Sequence, residues 1–385
     1  MFDRRLLKNI DLGLIVIVLL IFIIGVIIIT SATNVIDLTK DTSFKEAIDD
    51  ILKNGIKRQP KVQIIAFMIG VVAILGILCV DYNSFGEAYK ILYVISILLL
   101  LLVYVPGLAI DPSLRGGARS WIDLGIIDLQ TSEIAKLGFI LSFAKYVEER
   151  YENLNTIKDL IGPLIFVVPF VLLLLKQPDL GSALVFIIIA FGMMFVAGIN
   201  MKIVIYGGLI GISSMPLVYN FLKPHQKRRI DAFLNPSDTS LNYHVNKSKT
   251  AIGSGMMYGK GIFKGTYHRG DFLPVQETDF IYAVLGEELG LIGCTVILVL
   301  YFLFLYKMVN IGKNAKDIYG MLVVTGVTFM FAFQVIENIG MTIGILPVTG
   351  VTLPFLSYGG SSLITSLIAL GLVLNVSMRN KKIKF

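Results

Sequence analysis

The chain has 385 residues, of which 55% are hydrophobic and only 16% are charged. Soluble globular proteins carry about 25% charged residues, so this composition excludes an ordinary soluble domain and indicates an integral membrane protein. The formal net charge of +7 is ordinary for a protein held against anionic lipid, and no basic stripe interleaved with aromatic residues points to nucleic acid.

Ten apolar segments approach the length of about twenty residues that a hydrocarbon core requires. The first, residues 10–30, follows three basic residues and could be a cleaved signal peptide. Its apolar run exceeds the usual core of such signals, which favours a retained span. Because lipid forbids unsatisfied backbone groups, we predict an all-α, polytopic bundle of about ten transmembrane helices. The other candidates are 62–80, 91–106, 134–147, 160–175, 180–199, 203–221, 280–306, 319–346 and 355–378.

An even number of spans places both termini on one side of the membrane. Basic residues flank the first span (Arg4, Arg5) and the last (Lys381, Lys382), so the positive-inside rule predicts that both termini are cytoplasmic. Residues 222–278 then form a large extracytoplasmic loop between the seventh and eighth spans. We expect the chain, 1–385, to be a single membrane domain.

This outer loop is basic, and two interpretations of its charge remain open. It is either a solvated loop that faces anionic headgroups or a binding site for an anionic ligand, since Lys and Arg bind phosphate strongly. The glycine-rich stretch AIGSGMMYGKGIFKG (251–265) favours a site, because glycines let backbone N–H groups approach a ligand. Lys247 and Lys249 are the candidate binding residues.

The sequence does not show an evident cofactor. All three histidines, His225, His244 and His268, lie in the outer loop without the short paired spacing of a histidine metal site. The cysteines, Cys79 and Cys294, are distant and indicate neither a metal nor a redox pair. A divalent cation, Mg²⁺ or Mn²⁺, is the one cofactor left open.

Polar residues gather where the fourth span begins. Arg119 and Trp121 precede it, and a lone Trp at an interface is usually an anchor. Glu133 and Lys136 are three residues apart, so they share a helix face and can form an ion pair. Such a pair either locks helices together or takes part in function.

Carboxylates also stand at the mouths of later spans, although they are costly inside a bilayer. Asp279 opens the eighth span, and Glu287 and Glu288 follow about two turns further in. Asp179 lies in a tight outer turn and Glu337 lies within the ninth span. Because most of these polar groups converge on the outer face, we predict a site there. We expect Glu287 and Glu288 to hold their helix in register, with Asp179 and Glu337 as supporting residues.

Several long motifs resemble one family, the bacterial shape, elongation, division and sporulation proteins. The similarity runs from about residue 110 to 378, and the outer-loop version FKGT…DFLP is more typical of rod-elongation members than of division members. The motifs are QPDLGSA, YHVNKSKTAIGSG, GKGIFKGT, TDFIYAVLGEELGLIG and NIGMTIGILPVTGVTLPFLSYGGSS.

The resemblance implies a ten-span glycosyltransferase that polymerises peptidoglycan at the outer face of the bacterial cytoplasmic membrane. Its substrate would be lipid II, a disaccharide-pentapeptide on undecaprenyl pyrophosphate, and its partner a class B penicillin-binding protein that acts as a transpeptidase. The resemblance makes Asp279 the essential acidic residue. It also makes Trp121, Glu133 and Lys136 functionally important, and we predict that they take part in substrate binding.

Two positions depart from the family pattern. Glu277 stands where the family usually has His, and Asp128 stands where it usually has Arg. Both changes remove positive charge near the predicted site, so we expect altered activity or regulation.

The chemistry implied needs one carboxylate rather than two. An inverting displacement requires a base on the acceptor hydroxyl, whereas pyrophosphate leaves as a stabilised anion without an acid. Asp279 is the predicted base, and partial desolvation would raise its pKa. Arg119, Lys136, Lys247 and Lys249 are predicted to offset the pyrophosphate charge.

Two other functions are compatible with the sequence. A flippase for the lipid-linked precursor would use intramembrane polar residues as a path for the headgroup, and a non-catalytic scaffold would only hold the transpeptidase. A flippase needs polar residues at all depths, whereas those here are concentrated towards the outer face. This distribution favours the polymerase.

Overall fold

The computed structural model describes residues 9–33, 57–110, 119–123, 125, 128–151, 157–200, 202, 205–207, 209, 213, 219–220, 222–269 and 275–380. Most of the described chain is helical, because long apolar segments must satisfy their backbone groups internally. The helices before the outer loop are α1 (Leu12–Thr33), α2 (Arg58–Cys79), α3 (Tyr82–Glu87), α4 (Tyr89–Leu102), α5 (Thr131–Glu148), α6 (Ile161–Lys176) and α7 (Leu180–Val196), with a 3₁₀ turn at Ile157–Leu160. The later helices are α8 (Pro224–Leu234), α9 (Tyr243–Ser254), α10 (Thr266–Arg269), α11 (Ile281–Lys313), α12 (Ile318–Thr342) and α13 (Gly360–Arg379).

The predicted all-α membrane fold is confirmed. Among the described residues, α1, α2, α11, α12 and α13 are long and apolar enough to cross a membrane, and α4, α6 and α7 are shorter apolar helices. With α5, these helices correspond to nine of the ten predicted spans. Most of the seventh predicted span, 203–221, lies outside the described residues.

The structure adds elements that the sequence did not predict. Strand β1 (Trp121–Asp123) pairs antiparallel with β2 (Asp128–Gln130), with Trp121 opposite Gln130. The segment 222–278, called the outer loop after its predicted position, contains α8, α9 and α10. The strands are too short to give a periodic signal, which is why the hairpin was not recognised.

The bundle has two ends, and at each of them polar contacts join different helices. At the end remote from Asp279, called here the opposite end, Asn375 of α13 donates Nδ2 hydrogen bonds to the carbonyls of Ile77 (2.6 Å) and Val80 (2.7 Å). These carbonyls lie at the C-terminus of α2, where no following helical turn supplies N–H donors, although Ile77 O also accepts a hydrogen bond from Val80 N (3.1 Å). We call the other end, where α11 begins, the site end.

Helix α11 is broken at Gly290, whose φ of 65° and ψ of −163° are not helical. The break frees two backbone N–H groups, and the outer loop accepts both. Leu291 N donates to Met256 O (2.8 Å) and Ile292 N donates to Met257 O (3.2 Å). Part of the outer loop therefore occupies the break in the helix.

The same stretch of loop also donates to α11. Lys260 N binds Glu287 O (3.0 Å) and Gly261 N binds Glu288 O (2.9 Å). We call residues 256–261 the docked segment. The docked segment exchanges backbone hydrogen bonds with α11 on both sides of the break. The polar backbone groups of this irregular stretch therefore find their partners within the protein, as they must beside a membrane helix.

Candidate functional site

Asp279 is half-buried at the site end, immediately before α11, where it lines a cavity of about 540 Å³. Helices α8 and α9 and the chain that follows α12 form the other walls. The polar and charged side chains of the lining are Arg228, Arg229, Ser240, Asn242, His244, Asn246, Lys249 and Asp279. A smaller cavity of about 190 Å³, between α7, α11 and α12, has a mostly apolar lining.

The surroundings of Asp279 change its acidity. Burial raises the pKa of Asp279 from 3.8 to about 6, although the positive charge of Arg229 and a hydrogen bond from Thr278 act in the other direction. The negative charge of Glu277 raises the pKa further. The expected effect of desolvation on Asp279 is confirmed. A carboxylate with a pKa near 6 is mostly ionised at neutral pH and is a stronger base than an ordinary Asp.

Gly350 leaves space for the Asp279 carboxylate. A Cβ at this position would lie 3.5 Å from Asp279 Oδ2, and the φ of +80° disfavours any other residue. Next to it, Thr349 O accepts a hydrogen bond from Arg229 Nη1 (3.1 Å), and Thr349 Oγ1 donates to Glu337 Oε1 (2.8 Å). Glu337 therefore holds the turn that faces Asp279, while its own side chain lies outside the cavity lining.

The two predicted lysines of α9 differ in position. Lys249 lines the cavity and extends across Gly344, where an added Cβ would meet its side chain. Lys247 does not line it: its ammonium lies 5.5 Å from the ring centroid of Tyr243 and 5.9 Å from that of Tyr267. The structure therefore brings Lys249, but not Lys247, into the cavity of Asp279.

A second polar cluster lies at the site end of α5 and α7. Glu133 and Lys136 are both buried and form an ion pair of 2.8 Å, which confirms the pairing expected from their spacing. Asp179 caps α7 by accepting hydrogen bonds from Ser182 N (3.0 Å) and Ser182 Oγ (2.8 Å), and Gln130 Nε2 also donates to it (3.3 Å). None of the three charged residues lines the Asp279 cavity.

Arg119 and Trp121 belong to the hairpin beside this cluster. The guanidinium of Arg119 lies 5.7 Å from the ring centroid of Tyr104, and its backbone N–H donates to Gln177 O (3.1 Å). Trp121 O accepts a hydrogen bond from Ile110 N (3.0 Å). Neither side chain lines the Asp279 cavity, so their assignment to substrate binding stays a prediction.

The two acidic residues of α11 bind the outer loop. Glu287 is fully buried, and its Oε1 accepts hydrogen bonds from Lys260 Nζ (2.7 Å), Thr266 N (2.7 Å) and Tyr267 N (3.1 Å). Lys260 belongs to the docked segment, and Thr266 and Tyr267 open α10. Glu287 therefore joins two parts of the outer loop to α11.

Glu288 is also fully buried and connects α11 to the first span. Its Oε1 accepts hydrogen bonds from Ser31 Oγ of α1 and from Phe263 N (3.1 Å). Neither Glu287 nor Glu288 lines the Asp279 cavity.

Three lining residues, Arg228, Arg229 and His244, are not among the predicted site residues. Their common cavity depends on how α8 and α9 pack, which no local pattern encodes. Glu277 lies two residues before Asp279 in the chain, and Asp128 lies opposite Asp123 in the hairpin. Within the described chain, no three His, Cys, Asp or Glu residues are grouped so that they could hold a metal ion.

The fold and site define a class: a multi-pass, all-α membrane protein with one acidic residue in a cavity with basic lining residues at one end of its bundle. The family model described as "Cell cycle protein", which covers FtsW, RodA and SpoVE, matches residues 11–382. The chain belongs to this family, the shape, elongation, division and sporulation proteins.

Named relatives and solved structures are similar over most of the chain. Stage V sporulation protein E of Bacillus subtilis is 39% identical over 372 residues, which cover 95% of this chain and 96% of that protein. The peptidoglycan glycosyltransferase MrdB of Escherichia coli K12 is 36% identical over 293 residues, 75% of this chain and 78% of that protein.

Among solved structures, a chain of a peptidoglycan synthase complex that coordinates polymerization and crosslinking superposes with a TM-score of 0.78 at 31% identity. The match covers 97% of this chain and 99% of that chain. Rod shape determining protein RodA of Thermus thermophilus superposes with a TM-score of 0.69 at 29% identity, covering 97% and 98%.

Proposed function

We propose that this protein is a peptidoglycan glycosyltransferase that polymerises lipid II into glycan strands. The activity class is supported by relatives that carry this name, among them MrdB, which shares 36% identity over 75% of the chain. The observation that carries the proposal for the site is Asp279, whose carboxylate has a pKa of about 6 in a cavity that Arg229 and Lys249 also line.

The proposed reaction is a single displacement at the anomeric carbon of a lipid-linked sugar. The acceptor hydroxyl gives its proton to the Asp279 carboxylate as its oxygen forms the new glycosidic bond. The bond to the pyrophosphate breaks at the same carbon, and its electron pair leaves with the lipid pyrophosphate. Because attack comes from the opposite face, an α-linked donor gives a β-linked product.

The basic lining serves the leaving group. Arg228, Arg229 and Lys249 carry positive charge at the cavity wall, where fixed charges stabilise a pyrophosphate as its negative charge grows. The same wall contains apolar side chains, including Phe233, Leu241 and Val348, which suit the start of a polyprenyl chain. The cavity therefore combines a base, cations and an apolar surface. Any requirement for Mg²⁺ or Mn²⁺ would be tested by adding a chelator to the synthesis reaction.

Position and partner are part of the proposal. With both termini in the cytoplasm, the site end faces outward from the bacterial cytoplasmic membrane, where translocated lipid II is present. The partner would be a class B penicillin-binding protein, a transpeptidase that crosslinks the strands. Support for such a partner comes from the superposition on a chain of a synthase complex that coordinates polymerization and crosslinking.

From the FKGT…DFLP motif we propose a role in cell elongation. A role in sporulation is the alternative, because the stage V sporulation protein of Bacillus subtilis is 39% identical over 95% of the chain. Depleting the protein from growing cells of its host distinguishes the two. We expect loss of cell width control during growth, whereas a defect confined to the spore wall would identify the sporulation programme.

The deciding experiment compares wild type with Asp279→Asn on purified lipid II, with and without the transpeptidase. Asn is nearly isosteric but cannot accept the proton, so glycan synthesis should fall by at least about a hundredfold while lipid II still binds. A flippase would show no synthesis in wild type and would lose lipid II translocation in the variant. Near wild-type synthesis by Asp279→Asn would show that Asp279 is not the base.

A further inference from the structure

Asn338, in the last turns of α12, holds the backbone of Asp279. Its Nδ2 donates hydrogen bonds to Asp279 O (3.0 Å) and Val351 O (2.8 Å), and its side chain is fully buried. One amide group therefore fixes the peptide of Asp279 and the chain beside Gly350, the glycine that faces the Asp279 carboxylate. The backbone that carries the carboxylate and the chain that faces it are therefore both held by Asn338.

The two carbonyls before Asp279 are held as well. Ser357 Oγ donates to Thr278 O (2.7 Å) and accepts a hydrogen bond from Leu353 N (3.0 Å). Tyr358 N donates to Glu277 O (2.8 Å). Three consecutive carbonyls, at 277, 278 and 279, thus each accept a hydrogen bond from a donor elsewhere in the fold.

The donors are themselves anchored. Gln63 of α2 donates from Nε2 to Ser357 O (3.0 Å), and its Oε1 accepts from Gly359 N (3.1 Å). Gln63 and Ser357 are both buried. Because buried, hydrogen-bonded groups have few alternative arrangements, the chain before α11 is fixed against α2, α12 and the turn that precedes α13.

We propose that Asn338 is a positioning residue for Asp279, with Ser357 in the same role one peptide earlier. This inference rests on the proposed function, in which Asp279 accepts the proton of the acceptor hydroxyl. Asn338 does not touch substrate: it acts by fixing the backbone from which the carboxylate projects. A displacement of about 1 Å at a reacting group can reduce a rate about a hundredfold.

Charged groups on other elements make a displacement of Asp279 measurable. Arg229 of α8 and Glu277 both influence the carboxylate, and His244 and Lys249 of α9 line the same cavity. Since Arg229, His244 and Lys249 are carried by other helices, freeing the Asp279 peptide changes the distance of its carboxylate from them and its burial. The pH dependence of turnover should therefore change together with the rate.

The test uses the full-length protein with lipid II and compares Asn338→Leu with wild type. We expect kcat to fall about a hundredfold while KM for lipid II stays within about threefold, because positioning acts on the chemical step. The acid limb of the pH–kcat profile should also move to lower pH, as the carboxylate becomes less buried.

A matched control is available at the opposite end of the bundle. Asn375 is also fully buried and also donates to two backbone carbonyls, but it caps α2. Asn375→Leu should lower the melting temperature while leaving kcat and the pH profile unchanged. Equal losses in both Asn variants, in proportion to their melting temperatures, would show that Asn338 is only structural and would overturn the inference.

Ser357→Ala gives a second, smaller perturbation in case Asn338→Leu does not fold. We expect kcat to fall about tenfold at constant KM, since one carbonyl anchor is lost and two remain. Wild-type kcat in either folded variant overturns the inference, and so does failure of both to fold. The proposed function is judged separately: an active Asp279→Asn refutes it, whereas an inactive Asp279→Asn beside a fully active Asn338→Leu refutes only the positioning role.

Discussion

Glu287 and Lys260 form an ion pair of 2.7 Å in which the carboxylate is fully buried and the lysine side chain is 27% exposed. The same oxygen of Glu287 accepts backbone N–H groups from Thr266 and Tyr267. The carboxylate of α11 is therefore a common acceptor for separate parts of the outer loop, an arrangement that supports the structural role predicted for Glu287.

Glu287→Gln should destabilise the protein more than it slows turnover. Replacing a buried carboxylate weakens every hydrogen bond it accepts, so we expect a loss of about 2–4 kcal/mol in the free energy of unfolding. Thermal unfolding in detergent measures it. Lys260→Gln is the control and should cost about 1 kcal/mol or less, because its partly exposed ammonium is screened and the backbone donors remain. A larger loss in Lys260→Gln would mean that the ion pair, not the backbone bonds, holds the loop.

Asp279→Asn should raise the stability of the protein above about pH 6. The folded pKa of about 6 exceeds the ordinary value of 3.8, so ionising Asp279 costs stability, which is lost as the pH rises through the folded pKa. At about 1.4 kcal/mol per pKa unit, the gain in the variant is at most about 3 kcal/mol. Melting temperatures at pH 8 and pH 4 provide the comparison, with no difference expected at pH 4. A variant that is less stable at pH 8 would contradict the raised pKa.

Glycan synthesis should be lost on the acid side with a midpoint near pH 6. The base must be ionised, and the pKa of Asp279 is about 6. Below that value the rate should fall about tenfold per pH unit, as expected for a single protonation. The acid limb of the pH–rate profile is measured as initial rates at saturating lipid II, at roughly half-unit steps between about pH 4.5 and 8. A rate that is flat down to pH 4.5, well below this pKa, would exclude Asp279 as the base.

Lys249 should matter more than Lys247 for lipid II binding. Lys249 lines the cavity, whereas the ammonium of Lys247 lies near the rings of Tyr243 and Tyr267. We expect Lys249→Gln to weaken binding about tenfold at low salt and Lys247→Gln to weaken it less than about threefold, with the difference reduced by salt. Fluorescent lipid II titrations compare the pair directly. Equal effects would place the pyrophosphate outside the Asp279 cavity.

Gly290→Ala should disrupt the docking of the outer loop on α11. A Cβ there would lie 2.7 Å from both the carbonyl carbon and the oxygen of Met257, at a φ of +65° that disfavours Ala. The cost should reach at least about 2 kcal/mol. Gly76→Ala in α2 is the control, because a Cβ there meets nothing within 4 Å and helical Ala is favoured by up to about 1 kcal/mol. Unfolding measurements on both variants test this, and an equally stable Gly290→Ala would contradict the packing described.

The sequence predicted those features that depend on local pattern. Hydrophobic length identified the spans, and a spacing of three residues identified the Glu133–Lys136 pair, which the structure forms at 2.8 Å. Family motifs then singled out Asp279. Each of these signals is contained in a few consecutive residues or in one long run.

Contacts between distant segments could not be predicted in this way. Asn338 and Asp279 are 59 residues apart, and which of Lys247 and Lys249 faces the cavity depends on how α9 packs. The break at Gly290 could not be predicted from the sequence, because glycine also occurs in ordinary membrane helices. Nothing local distinguishes a glycine with a positive φ from one within a regular turn.

The break at Gly290 also changes how much of α11 the membrane must solvate. From Leu291 to Lys313 the helix rises about 34 Å, enough to cross a hydrocarbon core of about 30 Å. Glu287 and Glu288 precede this stretch, and their hydrogen-bond donors come from the outer loop and, for Glu288, also from Ser31 of α1. The bilayer thickness is thus matched by the second part of the helix alone, and the two carboxylates need not be transferred into hydrocarbon when the helix inserts.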